Sequence, residues 1–142
     1  MYKHILFATD FSNQAGSIES RVAEQVKQNE AQLSVIHTVE YYPSVQFPTG
    51  YTYSIDLESK LQENAQNEMQ ACAERLSVKD QNTHIALGAA KRAIIDYANE
   101  IEADLIIMGS HGRHGLGLLL GSTANGVLHA AKCDVLAVRI QE

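Results

Sequence analysis

Apolar residues in this chain fall into short unbroken runs separated by longer stretches with helical spacing. Ile5-Leu6-Phe7-Ala8 is the first run, and a continuous apolar run of this length reads as a strand buried on both faces. The polar cluster Thr9-Asp10-Phe11-Ser12-Asn13 ends it. Ala15, Ile18, Val22 and Val26 then mark one face of a helix, with Asn29 as its stop. Leu33 to Val39 is rich in β-branched residues and reads as a second strand. Residues 40–54 hold two prolines, one glycine and four tyrosines, a long irregular connection. Connections of that length are often functional or mobile; the plainer reading is a surface excursion packed by its own aromatics. Leu57, Leu61, Ala65, Met69, Cys72 and Leu76 form the most regular helical stripe in the chain, with Ser54 or Asp56 as its N-cap. After the polar turn Lys79 to Asn82, Thr83 to Leu87 is a short third strand that Gly88 ends. Ala90, Ile94, Tyr97 and Ile101 mark a third helix, and Leu105 to Met108 a fourth strand opened by Asp104. Ala124, Val127, Leu128 and Ala131 mark a fourth helix, and Val135 to Ile140 a final strand.

Strict alternation of strand and helix, with apolar strands, predicts an α/β fold with a parallel sheet covered by helices on both faces. Right-handed crossovers restrict it to a doubly wound sheet. With 142 residues and no repeat or linker, the chain reads as a single domain over 1–142. Ligands of such sheets bind beyond the carboxyl ends of the strands, where the strand order reverses. With strand 1 central, that point lies between strands 1 and 4. Ala8 to Ser12 then meets Gly109 to Ser122, with Thr38 and Val39 alongside.

The second of those segments carries glycines at 109, 112, 115, 117 and 121 and ends in Ser122-Thr123, both good N-cap types. A strand, a glycine-rich loop and a helix start aim bare backbone N–H groups at one spot, which suits a phosphate. Read without a ligand, the same run is a plain flexible loop, and spacing does not choose between the two. Asp10 at a strand end suits a ribose hydroxyl or a magnesium ion, or serves as a carboxylate at a helix N-terminus. Ser122 suits a phosphate or an N-cap, and the roles are compatible. Arg113 suits phosphate oxygens or is solvated at the loop tip. His111 and His114 lack a third metal ligand in sequence, and His37 reads as a core histidine. A Gly-x-x-x-x-Gly-Lys-Ser/Thr loop, a Gly-x-Gly-x-x-Gly after strand 1 and a Gly-x-Ser-x-Gly are all missing, so no catalytic group is assigned.

Composition narrows this further. A net charge of −6 argues against a nucleic-acid or anionic-membrane binder, though a small nucleotide needs only a local field. No apolar run approaches the length of a membrane span and the N-terminus is no signal peptide, so the default location is the cytoplasm. Cys72 and Cys133 are too few for a disulfide scaffold and read as buried free thiols.

Lys3-His4-Ile5-Leu6-Phe7-Ala8-Thr9-Asp10-Phe11-Ser12, Ile36-His37, Met108-Gly109-Ser110-His111-Gly112-Arg113 through Leu120-Gly121-Ser122, and Ala131 to Arg139 occur in an order that resembles the universal stress protein family. The resemblance spans the chain. It implies five parallel strands ordered 3-2-1-4-5 and a homodimer through the last strand, Val135 to Ile140. One branch of that family binds ATP and carries Gly-x2-Gly-x9-Gly-Ser/Thr. Here Gly109-x2-Gly112 matches, and eight residues, Arg113 to Leu120, separate Gly112 from Gly121-Ser122 where the pattern has nine. The resemblance implies ATP, with or without Mg2+, as the ligand. Gly109, Gly112, Gly121, Ser122 and Thr123 would hold phosphates, Asp10 the ribose or adenine side, and the backbone at Thr38 the adenine. Ala8, Thr9, Met108 and Arg113 complete the implied site. The function implied is a stress-response module whose nucleotide occupancy modulates the dimer or a partner surface. The alternatives are a nucleotide-free dimer and a slow ATPase.

Overall fold

The computed structural model describes residues 1–12, 15–40, 51–111 and 120–139, with backbone alone for residues 15 and 51–56. In chain order the elements are β1 (His4–Ala8), α1 (Ala15–Asn29), β2 (Gln32–Val39), α2 (Tyr51–Leu76), β3 (Thr83–Leu87), α3 (Ala90–Glu100), β4 (Leu105–Gly109), α4 (Ser122–Ala130) and β5 (Asp134–Val138). All strands are parallel, in the order β3-β2-β1-β4-β5. From β1 the chain moves outward twice, through α1 and α2, and right-handed crossovers put both helices on one face. It then jumps back to the far side of β1 and moves outward the other way, so α3 and α4 cover the opposite face.

Strand parity produces two cores. Ile5, Phe7, Leu33, Val35, Leu105 and Ile107 face α1 and α2, where Ile18, Val22, Met69 and Cys72 meet them. Leu6, Ala8, Ile36, Ile106 and Met108 face α3 and α4, against Ile94, Ala98, Ala124 and Val127. Alternate residues of each central strand therefore feed different layers, which is why these strands are apolar without a break. Between α1 and α2 the buried carboxylate of Glu19 takes two hydrogen bonds from Arg75, at 2.7 and 2.9 Å. Cys72 is buried beside this pair, and burial pushes its thiol up to about 11. Cys133 is only half-buried, which corrects the expectation of two buried thiols.

Several boundaries and stripe positions differ from the sequence expectation. Helix α2 begins at Tyr51, so Ser54 and Asp56 lie inside it and not at the expected N-cap position. Nothing between residues 51 and 56 breaks a helix, and an added turn of such residues costs only tenths of a kcal/mol each. Leu57 is 41% exposed. A step of four residues overshoots the helical repeat by about 40°, so two steps carry Leu57 about 80° away from Ala65. Leu128 is 52% exposed, because it lies about 100° round the helix from buried Val127. Gly121, not Ser122, is the N-cap of α4. Strand β5 ends at Val138, and Ile140, the expected end, lies outside the described residues. So do residues 41–50 of the tyrosine-rich connection. Among the described residues no helix is long and apolar enough to cross a membrane.

Asp104 pins the amino end of the β1–β4 pair. Its carboxylate accepts from the amides of Lys3 at 2.8 Å and His4 at 3.0 Å, and its own N–H donates to the His4 carbonyl at 2.9 Å. Burial raises this carboxyl, but the backbone donors outweigh it, and the group sits below its ordinary value. A lowered folded value means that the stabilisation is complete above the unfolded value, about 4, and is lost as pH falls through the folded one. Asp104→Asn is expected to lose about 1–2 kcal/mol in urea unfolding at pH 7. The gap to the unsubstituted chain should close as pH drops below about 4; a gap that stays constant with pH would show that the charge does not contribute.

Candidate functional site

The carboxyl ends of β1, β2 and β4 open into a cleft of about 650 Å³. Its floor at β1 is a preformed turn. The Thr9 N–H continues the ladder to the Ile36 carbonyl at 3.0 Å. Beyond it the side chains take over: Thr9 Oγ1 accepts from the Phe11 N–H at 3.1 Å, and Asp10 Oδ1 accepts from the Ser12 N–H at 2.9 Å. The second of these is the local bond that makes aspartate favour turns. Phe11 adopts φ 56°, the left-handed region that a bulky residue rarely enters. Its ring lies against the His37 imidazole, with centroids 4.1 Å apart and planes tilted by 30°. His37 Nδ1 stands 2.8 Å from the Thr9 carbonyl, and since a carbonyl only accepts, that nitrogen carries the proton. His37 thus holds the turn in place from β2.

The other wall comes from β4 and α4. The Ser110 N–H donates to the Val138 carbonyl at 2.8 Å, extending the β4–β5 ladder. The Ser110 carbonyl accepts from the Gly121 N–H at 2.6 Å. Where the glycine-rich loop leaves β4 and where it returns are therefore tied together. The tie sets the N-terminus of α4 at the end of β4. Gly121 has no side chain to cap that helix. The N–H groups of Ser122, Thr123 and Ala124 lie before the first intrahelical donor, Asn125, which reaches the Gly121 carbonyl at 2.8 Å. A helix start in that condition attracts an anion.

Ala8, Thr9, Asp10, Thr38, Met108, Gly109, Gly121, Ser122 and Thr123 all line this one cleft. Gly112 and Arg113, the other two positions implied by the family resemblance, lie outside the described residues. The cleft also has walls that the sequence reading did not name. Ala90 and Ile94 of α3 close one side, and Leu61, Asn64, Ala65 and Glu68 of α2 the other. His37, Glu40 and His111, the last a candidate in the sequence, line it as well. The helical stripes of α2 and α3 contained most of these residues, but a stripe marks a face and does not say that its end overhangs a site. Thr38 Oγ1 is shut off from solvent with no hydrogen-bond partner among the described residues, an arrangement that costs about 1–3 kcal/mol. Among the described residues lining the cleft, none is lysine or arginine, while Asp10, Glu40 and Glu68 are acidic.

The model of the universal stress protein family matches residues 1–139. The chain belongs to that family. As a universal stress protein it is a stress-response protein. It is 43% identical to universal stress protein A homolog 2 of Coxiella burnetii over 141 residues, 99% of this chain and 97% of that one. Among solved structures it is similar to hypothetical protein MJ0577, with a TM-score of 0.87, 28% identity and coverage of 100% and 99% of the two chains. A universal stress protein solved in complex with cAMP shares the fold at a TM-score of 0.71 and 22% identity, over 99% and 98% of the chains. The five-stranded order 3-2-1-4-5 is the universal stress protein fold.

The turn after β1 depends on the Thr9 hydroxyl, which is buried. Thr9→Val keeps the shape and removes the acceptor, so this universal stress protein should lose about 1 kcal/mol in urea unfolding. An unchanged midpoint would mean that the Phe11 amide finds another acceptor.

Proposed function

We propose that the cleft binds an adenine nucleotide, ATP in the first instance, and that its occupancy modulates a homodimer. The observation that carries this reading is the tie between the Ser110 carbonyl and Gly121, which faces an uncapped helix start toward the Asp10 turn across one cleft. An anionic tail fits the α4 end, where Gly109, Gly121, Ser122 and Thr123 offer backbone donors and two hydroxyls. Asp10 fits a ribose hydroxyl. The apolar stretch formed by Ala8, Ile94 and Met108 fits a flat base, and the Thr38 hydroxyl beside it has no hydrogen-bond partner among the described residues. The cAMP complex of a fold relative agrees with a nucleotide in a fold of this kind. A magnesium ion would offset the repulsion between phosphates and Asp10, Glu40 and Glu68.

The dimer surface in this reading is β5. It is an edge strand, bonded only to β4 within the sheet, and its outer row of backbone groups suits a second copy. Ser110 bonds both to Gly121 at the helix start and to Val138 at the end of β5, so a ligand at α4 touches the element that would pair. The reading places a single-domain protein in the cytoplasm.

A thermal-shift titration with ATP and magnesium tests the nucleotide. Ligand at about a hundredfold excess over Kd stabilises the folded state by about 2.7 kcal/mol. The midpoint should rise for the unsubstituted chain and stay unmoved for Gly121→Asp, whose carboxylate repels phosphate. If no adenine nucleotide raises the midpoint, the chain acts as a nucleotide-free scaffold. Light scattering at micromolar concentration should give the mass of two chains, and Ala137→Pro in β5, which removes a backbone donor from the outer row, should give one. A monomer in the unsubstituted chain would remove β5 as the dimer surface.

A further inference from the structure

Asp10, Glu40 and Glu68 line the cleft, and none of its described residues is lysine or arginine. A polyanion held there meets three carboxylates. The described side chains of the lining that are able to become positive are His37 and His111. The two are placed differently. His37 keeps its Nδ1 proton on the Thr9 carbonyl and its ring against Phe11, at the β1 turn. His111 follows Ser110, whose carbonyl accepts from the Gly121 N–H, so its backbone stands beside the start of α4. It is half-buried and lines the same cleft as Gly109, Gly121 and Ser122.

Ser110 Oγ lies 3.1 Å from His111 Nδ1. A hydroxyl donates to a bare ring nitrogen and accepts from a protonated one. This bond therefore persists in either charge state of the ring. The bare N–H groups of α4 disfavour a cation beside them, as does exposed Arg139, next after Val138 of β5. Asp10 on the β1 turn, Glu40 after β2 and Glu68 on α2 favour one. A phosphate at the α4 start adds negative charge and tips this balance. We propose, resting on the nucleotide reading of the cleft, that binding there is proton-linked: the His111 imidazole takes up a proton as the phosphates arrive and supplies the positive charge that the described cleft lacks. A proton held more tightly in the filled cleft than in the empty one gives an affinity that is highest at low pH and falls as pH rises through the histidine range.

The test is calorimetric titration of the full chain with ATP and magnesium at about pH 8 and about pH 6, a window in which histidine titrates and ordinary carboxylates do not. It is repeated with His111→Gln, which stays neutral, and His111→Lys, which stays charged. ATP gains a proton of its own in this window, and His37 is present in every variant, so the difference between proteins is the readout. The gain in affinity from pH 8 to pH 6 should be about tenfold larger in the unsubstituted chain than in His111→Gln. At pH 8 these two should agree within about threefold, and His111→Lys should bind more tightly than either. An equal gain in the unsubstituted chain and His111→Gln overturns the inference and leaves the nucleotide site standing. Equal weakening of His111→Gln at both pH values also overturns it, since the ring would then be a fixed contact. If the unsubstituted chain binds no adenine nucleotide at either pH, the nucleotide reading fails, and this inference with it.

Discussion

The pairing of β1 with β4 joins the two halves of this molecule. Every other parallel pair unites strands that are consecutive in sequence, while this one brings Ile5 to Ala8 beside Leu105 to Met108. At its amino end the pair is pinned by one carboxylate, Asp104, on the amides of Lys3 and His4. At its carboxyl end the two chains leave for opposite faces of the sheet, and the divergence opens the cleft. The site is thus a consequence of where the winding reverses, and the glycine loop is added to a crevice that the topology already makes.

Side-chain economy within the cleft follows from that geometry. On the β1 side the local hydrogen bonds of Thr9 and Asp10, with the Phe11–His37 contact, hold a turn that includes one left-handed aromatic residue. On the β4 side one backbone bond, Gly121 to Ser110, positions a helix start. The polar groups turned toward a ligand are consequently mostly backbone, and the described cleft carries acids and no lysine or arginine. A phosphate there would be recognised by oriented dipoles, which act at short range and tolerate an acidic protein.

Elsewhere polar burial serves packing. Glu19 is buried, and the two bonds from half-exposed Arg75 answer its charge while linking α1 to α2 across the layer that covers β1. His4 uses Nδ1 on the Ile101 carbonyl, and its Nε2 lies 2.8 Å from the buried Ser34 hydroxyl on the opposite face. Neither group opens on the main cleft. Their partners lie within the fold, whereas Thr38 Oγ1 has none among the described residues.

The layer order, the strand series and the reversal between β1 and β4 could be read from the sequence, because burial on two faces imposes unbroken apolar runs and helices impose their own period. The nine described candidate positions come from three separated segments, and their meeting at one cleft follows from that topology. Fine placement could not be read in the same way. Leu57 and Leu128 belong to apolar stripes but face outward, since a spacing of four or one drifts off the buried line. The α2 start and the N-cap of α4 turned on backbone hydrogen bonds that no residue type announces. The walls from Asn64, Glu68, Ala90 and Ile94, the bracing role of His37 and the lone hydroxyl of Thr38 depend on which helix ends overhang the sheet. Sequence alone determined the alternation of elements and the glycine-rich segment between β4 and α4, because these rest on local spacing. Only tertiary structure decided which polar groups found partners, because a hydrogen bond across the fold depends on distances that the chain order does not contain.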